Sequence, residues 1–159
     1  MTARWRACVC RSSTSFPSAR RSRSTANTHI INHRNLLLAL KEDSPPSALD
    51  LLTLETVAPN YTFDDQLPSK TFTAHPKIDP RTGEWWSYGV FARGEPTTDA
   101  NLHVFDKSGK LIREEWFHTP YPGLSHDWGV TREHLVFPIM PLLADDRRLR
   151  AGDAYYQYD

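Results

Sequence analysis

From Thr25 onward, short apolar runs alternate with clusters of turn-forming residues. Thr28–Ile31 and Leu36–Lys41 flank the polar link His33-Arg34-Asn35, a spacing that predicts a β-hairpin. Beyond the Pro-rich link Ser44-Pro45-Pro46-Ser47, Leu51–Thr56 and Thr71–His75 read as further extended segments. Asp79-Pro80-Arg81-Thr82-Gly83 is a turn by composition, since Pro presets φ and Gly accepts the left-handed position. Behind it, the aromatic run Glu84–Ala92 fits a strand. The clearest hairpin is Asn101–Phe105, the turn Asp106–Lys110, then Leu111–Phe117. Leu124–Val130 and His134–Pro138 add two short strands around Thr131-Arg132-Glu133, Asp145–Arg150 reads as a helical turn or a loop, and Ala154–Tyr158 reads as a final strand. Strands at this spacing indicate a sandwich, barrel or propeller. Periodicity alone stops at an all-β fold.

Composition narrows the class without naming it. The 159 residues are 39% hydrophobic and 24% charged, which is the balance of a chain with a packed core. The formal net charge is +0, so no global attraction to nucleic acid or an acidic membrane is expected. The longest apolar run, Leu36–Leu40, is strand-sized and far below the roughly 20 residues of a membrane-spanning helix. Charge is unevenly placed, however. Residues 1–34 hold seven arginines and no acid, the first acid being Glu42. An organelle-targeting segment has this composition, but Pro17 interrupts any helix and no clean apolar face runs through Arg11–Arg23. Residues 1–24 are therefore expected to be a disordered leader, residues 25–159 the folded domain, and the location cytoplasmic. Cys8 and Cys10, the only cysteines, form neither a disulfide framework nor a zinc motif.

Two of the seven histidines stand in suggestive settings. His75 ends a β-branched apolar stretch and precedes Pro76, so the chain must leave its ladder there. His126 precedes Asp127 and lies between Gly123 and Gly129. Taken alone, either is more commonly a structural histidine than a metal ligand.

The longer context changes that balance. Phe72-Thr73-Ala74-His75-Pro76-Lys77-Ile78-Asp79-Pro80-Arg81-Thr82-Gly83-Glu84 resembles the first histidine motif of the carotenoid cleavage oxygenase family. Ser125-His126-Asp127-Trp128-Gly129-Val130-Thr131, leading into Leu135-Val136-Phe137-Pro138, resembles its second. Thr25–His29, Leu38–Glu42, Leu49-Asp50 and Leu54-Glu55-Thr56 match in the same order upstream. Glu114–Phe117, Pro120–Gly123 and Asp145–Tyr156 resemble the stilbene-cleaving, lignostilbene-dioxygenase-like branch.

This resemblance implies a seven-bladed β-propeller with four histidines around one Fe(II), of which the chain would carry roughly three blades, as an N-terminal-to-middle fragment. It implies that His75 and His126 are metal ligands, with two further ligands supplied by a C-terminal portion beyond Asp159. Glu42 matches a glutamate that accepts a hydrogen bond from a ligating histidine, fixing its tautomer. Lys41 matches a lysine that meets a phenol hydroxyl of the substrate, where a desolvated cation favours the phenolate. The implied activity is that of a non-haem dioxygenase, an oxidoreductase that uses O2 to split the double bond of a small-molecule alkene into two carbonyl products. The expected substrate is stilbene-like or phenylpropenoid, with a carotenoid or apocarotenoid as the alternative. The chain by itself is expected to be inactive.

Overall fold

Two residues set the first hairpin. Arg34 and Asn35 take left-handed backbone angles, φ 49° and 64°, and give the two-residue turn whose twist matches paired strands. They join β1 (His29–His33) to β2 (Leu36–Leu40), with His29 opposite Leu40 and His33 opposite Leu36. The computed structural model describes residues 25–94 and 96–158. The leader expected over residues 1–24, with both cysteines, lies outside the described residues.

β2 continues into β3 (Ser47–Asp50) and β4 (Thr56–Ala58), completing an antiparallel four-stranded sheet in the order β1-β2-β3-β4. Here the reading of Leu51–Thr56 as an extended segment is corrected. The Asp50 carboxylate accepts the backbone N–H groups of Leu52 and Thr53, each at 2.8 Å, and Leu54 sits at φ 60°. An Asx-type turn therefore occupies the apolar stretch and leaves Leu52 90% exposed. Hydrophobic content suggested a strand where a side-chain acceptor makes a turn.

The second sheet repeats the plan in the order β5-β6-β7-β8, with β5 (Lys77–Ile78), β6 (Trp85–Val90), β7 (Asp99–Phe105) and β8 (Leu111–His118). The turn before β6 is closed by the Gly83 N–H donating to the Asp79 carbonyl at 2.8 Å, with Gly83 at φ 75°. Two antiparallel hairpins follow. One pairs β9 (Gly129–Val130) with β10 (Leu135–Val136); the other pairs β11 (Leu142–Ala144) with β12 (Tyr156–Tyr158) across the helical turn α1 (Asp146–Arg150).

Strand alternation explains how these units stack. Trp85 belongs to a buried cluster with Leu38, Leu40, Phe63, Phe72 and Phe105, facing the first sheet. Tyr88 and Val90 belong to a second cluster with Leu102, Trp128 and Ala144, facing the hairpins. The central strands of the second sheet are thus covered on both faces, while β8 is largely exposed at the edge. The architecture is two complete blades of a β-propeller followed by part of a third. Among the described residues no helix is long and apolar enough to cross a membrane.

Thr71–His75, buried as far as Ala74, joins no ladder. It crosses β6 at Gly89, where a Cβ would lie 2.4 Å from both Ser69 Oγ and Thr71 Oγ1. Thr71 Oγ1 donates to the Val90 carbonyl at 2.7 Å. A glycine in the strand therefore admits the segment that carries His75.

Candidate metal centre

His75 sits where this buried crossing segment emerges. Its backbone N–H donates to Thr73 Oγ1 at 3.0 Å, and Pro76 then directs the chain into β5. His126 lies on a separate extended stretch, 124–128, outside any strand. Tyr88 anchors that stretch from the second blade, its hydroxyl donating to the Ser125 carbonyl at 2.9 Å. Gly123 begins it, in a position where a Cβ would meet the Met140 carbonyl oxygen at 2.7 Å.

Two further links set the spacing between the histidine-bearing stretches. The Trp128 indole N–H donates to the His75 carbonyl at 2.9 Å. Lys77 Nζ meets Asp127 Oδ1 at 2.7 Å, and the same oxygen accepts the Trp128 backbone N–H at 2.7 Å. The Lys77 ammonium holds the Asp127 carboxyl below its usual range. Asp127 is thereby committed to holding the loop. Trp128 is itself fixed between Tyr88 and Phe137, with ring centroids 4.9 and 5.3 Å away.

These constraints bring together two histidines 51 residues apart in sequence. Their Nε2 atoms are 3.2 Å apart and their ring planes meet at 78°. Glu42, just past the end of β2, places Oε1 2.5 Å from His126 Nδ1. That oxygen is buried and lacks an angularly aligned donor, so the approach is a close ion-pair distance without hydrogen-bond alignment. One donor atom each from Glu42, His75 and His126 falls within 4.8 Å of the others. Burial is the main cause that pushes the His75 pKa down; the Asp127 carboxylate opposes it and the Lys77 ammonium adds to it.

The donor set fits a metal ion. Two nitrogens each about 2.1 Å from one ion, at angles of about 90–110°, lie about 3.0–3.4 Å apart, and the observed 3.2 Å falls inside that window. Glu42 approaches the Nδ1 side of His126, so a proton held there would leave the Nε2 lone pair facing His75.

Lys41 is placed differently from its neighbour. Its ammonium pairs with Asp43 Oδ2 at 2.6 Å, with about a quarter of the side chain exposed. Residues of β5 and β9 line a cleft of about 530 Å³ whose walls include Lys77, Asp79, Arg81, Trp86, Val130 and Arg132. Its charged walls are poorly suited to an apolar alkene. Sequence reading singled out His75, His126, Glu42 and Lys41 but missed the Lys77–Asp127 and Trp128–His75 links. Neither has a sequence signature, because each spans at least 50 residues.

Comparison with known proteins agrees with this architecture. The family model described as retinal pigment epithelial membrane protein matches residues 4–159. Carotenoid cleavage oxygenase 1 of Neurospora crassa is 49% identical over 137 residues, covering 86% of this chain and 26% of its own length. Isoeugenol monooxygenase of Pseudomonas nitroreducens is 44% identical, covering 86% of this chain and 28% of its own length. The crystal structure of lignostilbene dioxygenase from Pseudomonas brassicacearum superposes with a TM-score of 0.84 at 44% identity, covering 89% of this chain and 29% of that one. The chain thus spans under a third of the length of these relatives. With a family match over nearly all its residues and blades that superpose on a solved relative, the chain belongs to the retinal pigment epithelial membrane protein family, the family of the carotenoid oxygenases.

Proposed function

We propose that the chain provides half of a non-haem Fe(II) centre in a dioxygenase that cleaves an alkene with O2 into two carbonyl products. The observation that carries this reading is the His75–His126 pair, with Nε2 atoms 3.2 Å apart and Glu42 on the far nitrogen of His126. In this reading His75 and His126 hold the metal through Nε2. Glu42 keeps the proton of His126 on Nδ1, so that Nε2 stays available. Trp128 and the Lys77–Asp127 pair keep the two rings at one spacing. Iron, when bound, supplies the activation of O2 that splits the double bond, one oxygen atom ending in each carbonyl. Two further imidazoles come from a C-terminal portion that completes the propeller.

The preferred substrate is a stilbene-like or phenylpropenoid alkene. Support comes from the names of relatives, isoeugenol monooxygenase and lignostilbene dioxygenase, each 44% identical. The relative named for carotenoid cleavage, at 49%, keeps a carotenoid or apocarotenoid substrate as the second reading. Lys41 is the residue assigned to a substrate phenol. To serve it, the ammonium must exchange or share its Asp43 partner.

The test separates the metal from the chemistry. Residues 1–159 are loaded with Fe(II) anaerobically, and metal content is compared with that of H75A and H126A. Weak binding that disappears in either variant supports the site; equal metal in all three overturns it. O2 and a hydroxystilbene are then supplied to the loaded chain. The expected result is no aromatic aldehyde, because two imidazoles leave the metal side open and wet. The same substitutions in a chain extended by its C-terminal portion should abolish aldehyde formation.

A further inference from the structure

The two histidines of the centre are braced unequally. His126 has Glu42 at its Nδ1. Among the described residues no carboxylate is paired with a His75 ring nitrogen in that role: Glu42 closes on His126, and Asp127 is engaged by Lys77 and by the Trp128 N–H. What lies against the His75 imidazole instead is a third histidine. The His29 ring stacks on it, with centroids 5.7 Å apart and planes inclined by 28°. His29 is itself fixed by Nδ1–H, which donates to the Ala74 carbonyl at 2.9 Å, in the residue just before His75.

The blade topology explains why His29 is there. β1 and β2 are antiparallel, so the first residue of β1 lies opposite Leu40, beside the point where the chain leaves for Lys41 and Glu42. One end of the first blade thus delivers two side chains to the centre, Glu42 to His126 and His29 to His75. We infer that His29 is a positioning residue for His75, holding the orientation of that ring by stacking while its Nδ1–H ties it to the Ala74 carbonyl. This rests on the metal-centre reading above. His29 touches the backbone and ring of the ligand and acts only through it. A stacked ring restricts tilting of the His75 plane, and the bond to Ala74 stops the His29 ring from swinging away. A carboxylate would have fixed the tautomer as well; His29 fixes the plane alone.

The experiment uses the 159-residue chain and Co(II) as the probe metal, with affinity read by competition against a chelator. H29A should weaken Co(II) binding about tenfold, the lower end of what outer-sphere partners of metal-binding histidines contribute. H29F, which keeps a ring but loses the bond to Ala74, should fall between wild type and H29A. The signature a merely structural role would not produce is selectivity. In the Co(II) form, the paramagnetically shifted His75 ring resonances should move in H29A while those of His126 stay, with the reverse pattern in E42Q. Urea midpoints of H29A and wild type are compared so that lost affinity is not mistaken for unfolding. Unchanged affinity and unchanged His75 resonances in H29A, with binding still abolished by H75A, would overturn the positioning role and leave the centre standing. Co(II) binding undiminished by H75A would remove the centre and the His29 inference together.

Discussion

Two regions of this protein gather histidines, one inside the blades and one at the candidate metal corner, and they treat them differently. Inside the blades, His33 is 3% exposed and His103 fully buried. His33 is enclosed by Trp85, Phe63 and Tyr61, with ring centroids 4.6, 5.4 and 6.3 Å away. His103 lies against Phe72 and Phe105, with only Asn101 Oδ1 on its Nδ1 at 2.8 Å. In both, Nε2 is buried without a partner, and burial lowers the pKa to about 4 for His33 and about 3 for His103. At the candidate metal corner His75 is partly buried and His126 exposed, yet their Nε2 atoms face each other and Glu42 stands at the far nitrogen of His126. Burial alone therefore does not single out the histidines of the proposed centre; the convergence of their ring nitrogens does.

The largest expected separation between the regions is in acid. For a histidine of depressed folded pKa, the unfolded chain binds the proton first. Stability is then fully present above about pH 6.5 and falls as the pH drops towards the folded pKa. His33 loses it down to about pH 4 and His103 down to about pH 3, each at up to about 1.4 kcal/mol per pH unit. Urea unfolding at pH 7.5, 6 and 5 should show a steadily falling midpoint. NMR titration of His33 or His103 near the ordinary 6.5 in the folded chain would erase the contrast.

Next in size, H126A and H75A should each reduce metal affinity by at least about 100-fold while leaving the far-ultraviolet spectrum and the urea midpoint nearly unchanged. If either variant unfolds the chain instead, the corner is structural like the blade interior. A third, smaller effect concerns Glu42. E42Q should weaken metal binding about 10–100-fold, because the amide no longer offers a charged acceptor to Nδ1. Wild-type affinity in E42Q would mean that the 2.5 Å approach is incidental. The smallest effect is on the tether. K77M removes a half-exposed ion pair, worth about 0.5 kcal/mol of stability and less at high salt. Its loss should show mainly as a modest fall in metal affinity, measurable by the same chelator competition.

Much of this layout was legible from residue order, and most of what was not depends on distant contacts. The hairpins around Arg34-Asn35 and Asp106–Lys110 follow from local turn chemistry, which needs no knowledge of distant contacts. His75 and His126 were reached through family resemblance; periodicity could not have joined residues 51 apart. Leu51–Thr56 was misread up to Glu55 because a single carboxylate, Asp50, outcompetes apolar content. Thr71–His75 was read as a strand by its β-branched residues, but it packs across Gly89 on side-chain hydroxyls and stays outside the ladder. Leu124–Val130 was read as a strand; only Gly129–Val130 pairs, and residues 124–128 are held by Tyr88 and Gly123 outside the ladder. The strand Leu142–Ala144 lacked a local signal, since its partner Tyr156–Tyr158 lies across a helical turn. The Asp50 turn is local, spanning two and three residues; tertiary contacts decided the others, and none of those is visible in a window of ten residues.

The three side chains of the corner come from the end of the first blade, the entry to the second and the stretch leading into the third. No pair of neighbouring elements can assemble it alone. During folding, the corner can exist only after all three units have docked, so it must be among the last features to form. A cation that waits for such a late event slows unfolding more than it speeds folding. Metal occupancy would then read as a clock on the chain's maturation: a trace of Fe(II) or Co(II) added during refolding should be captured with the lag of the slowest docking step, and not with the burst in which the hairpins appear.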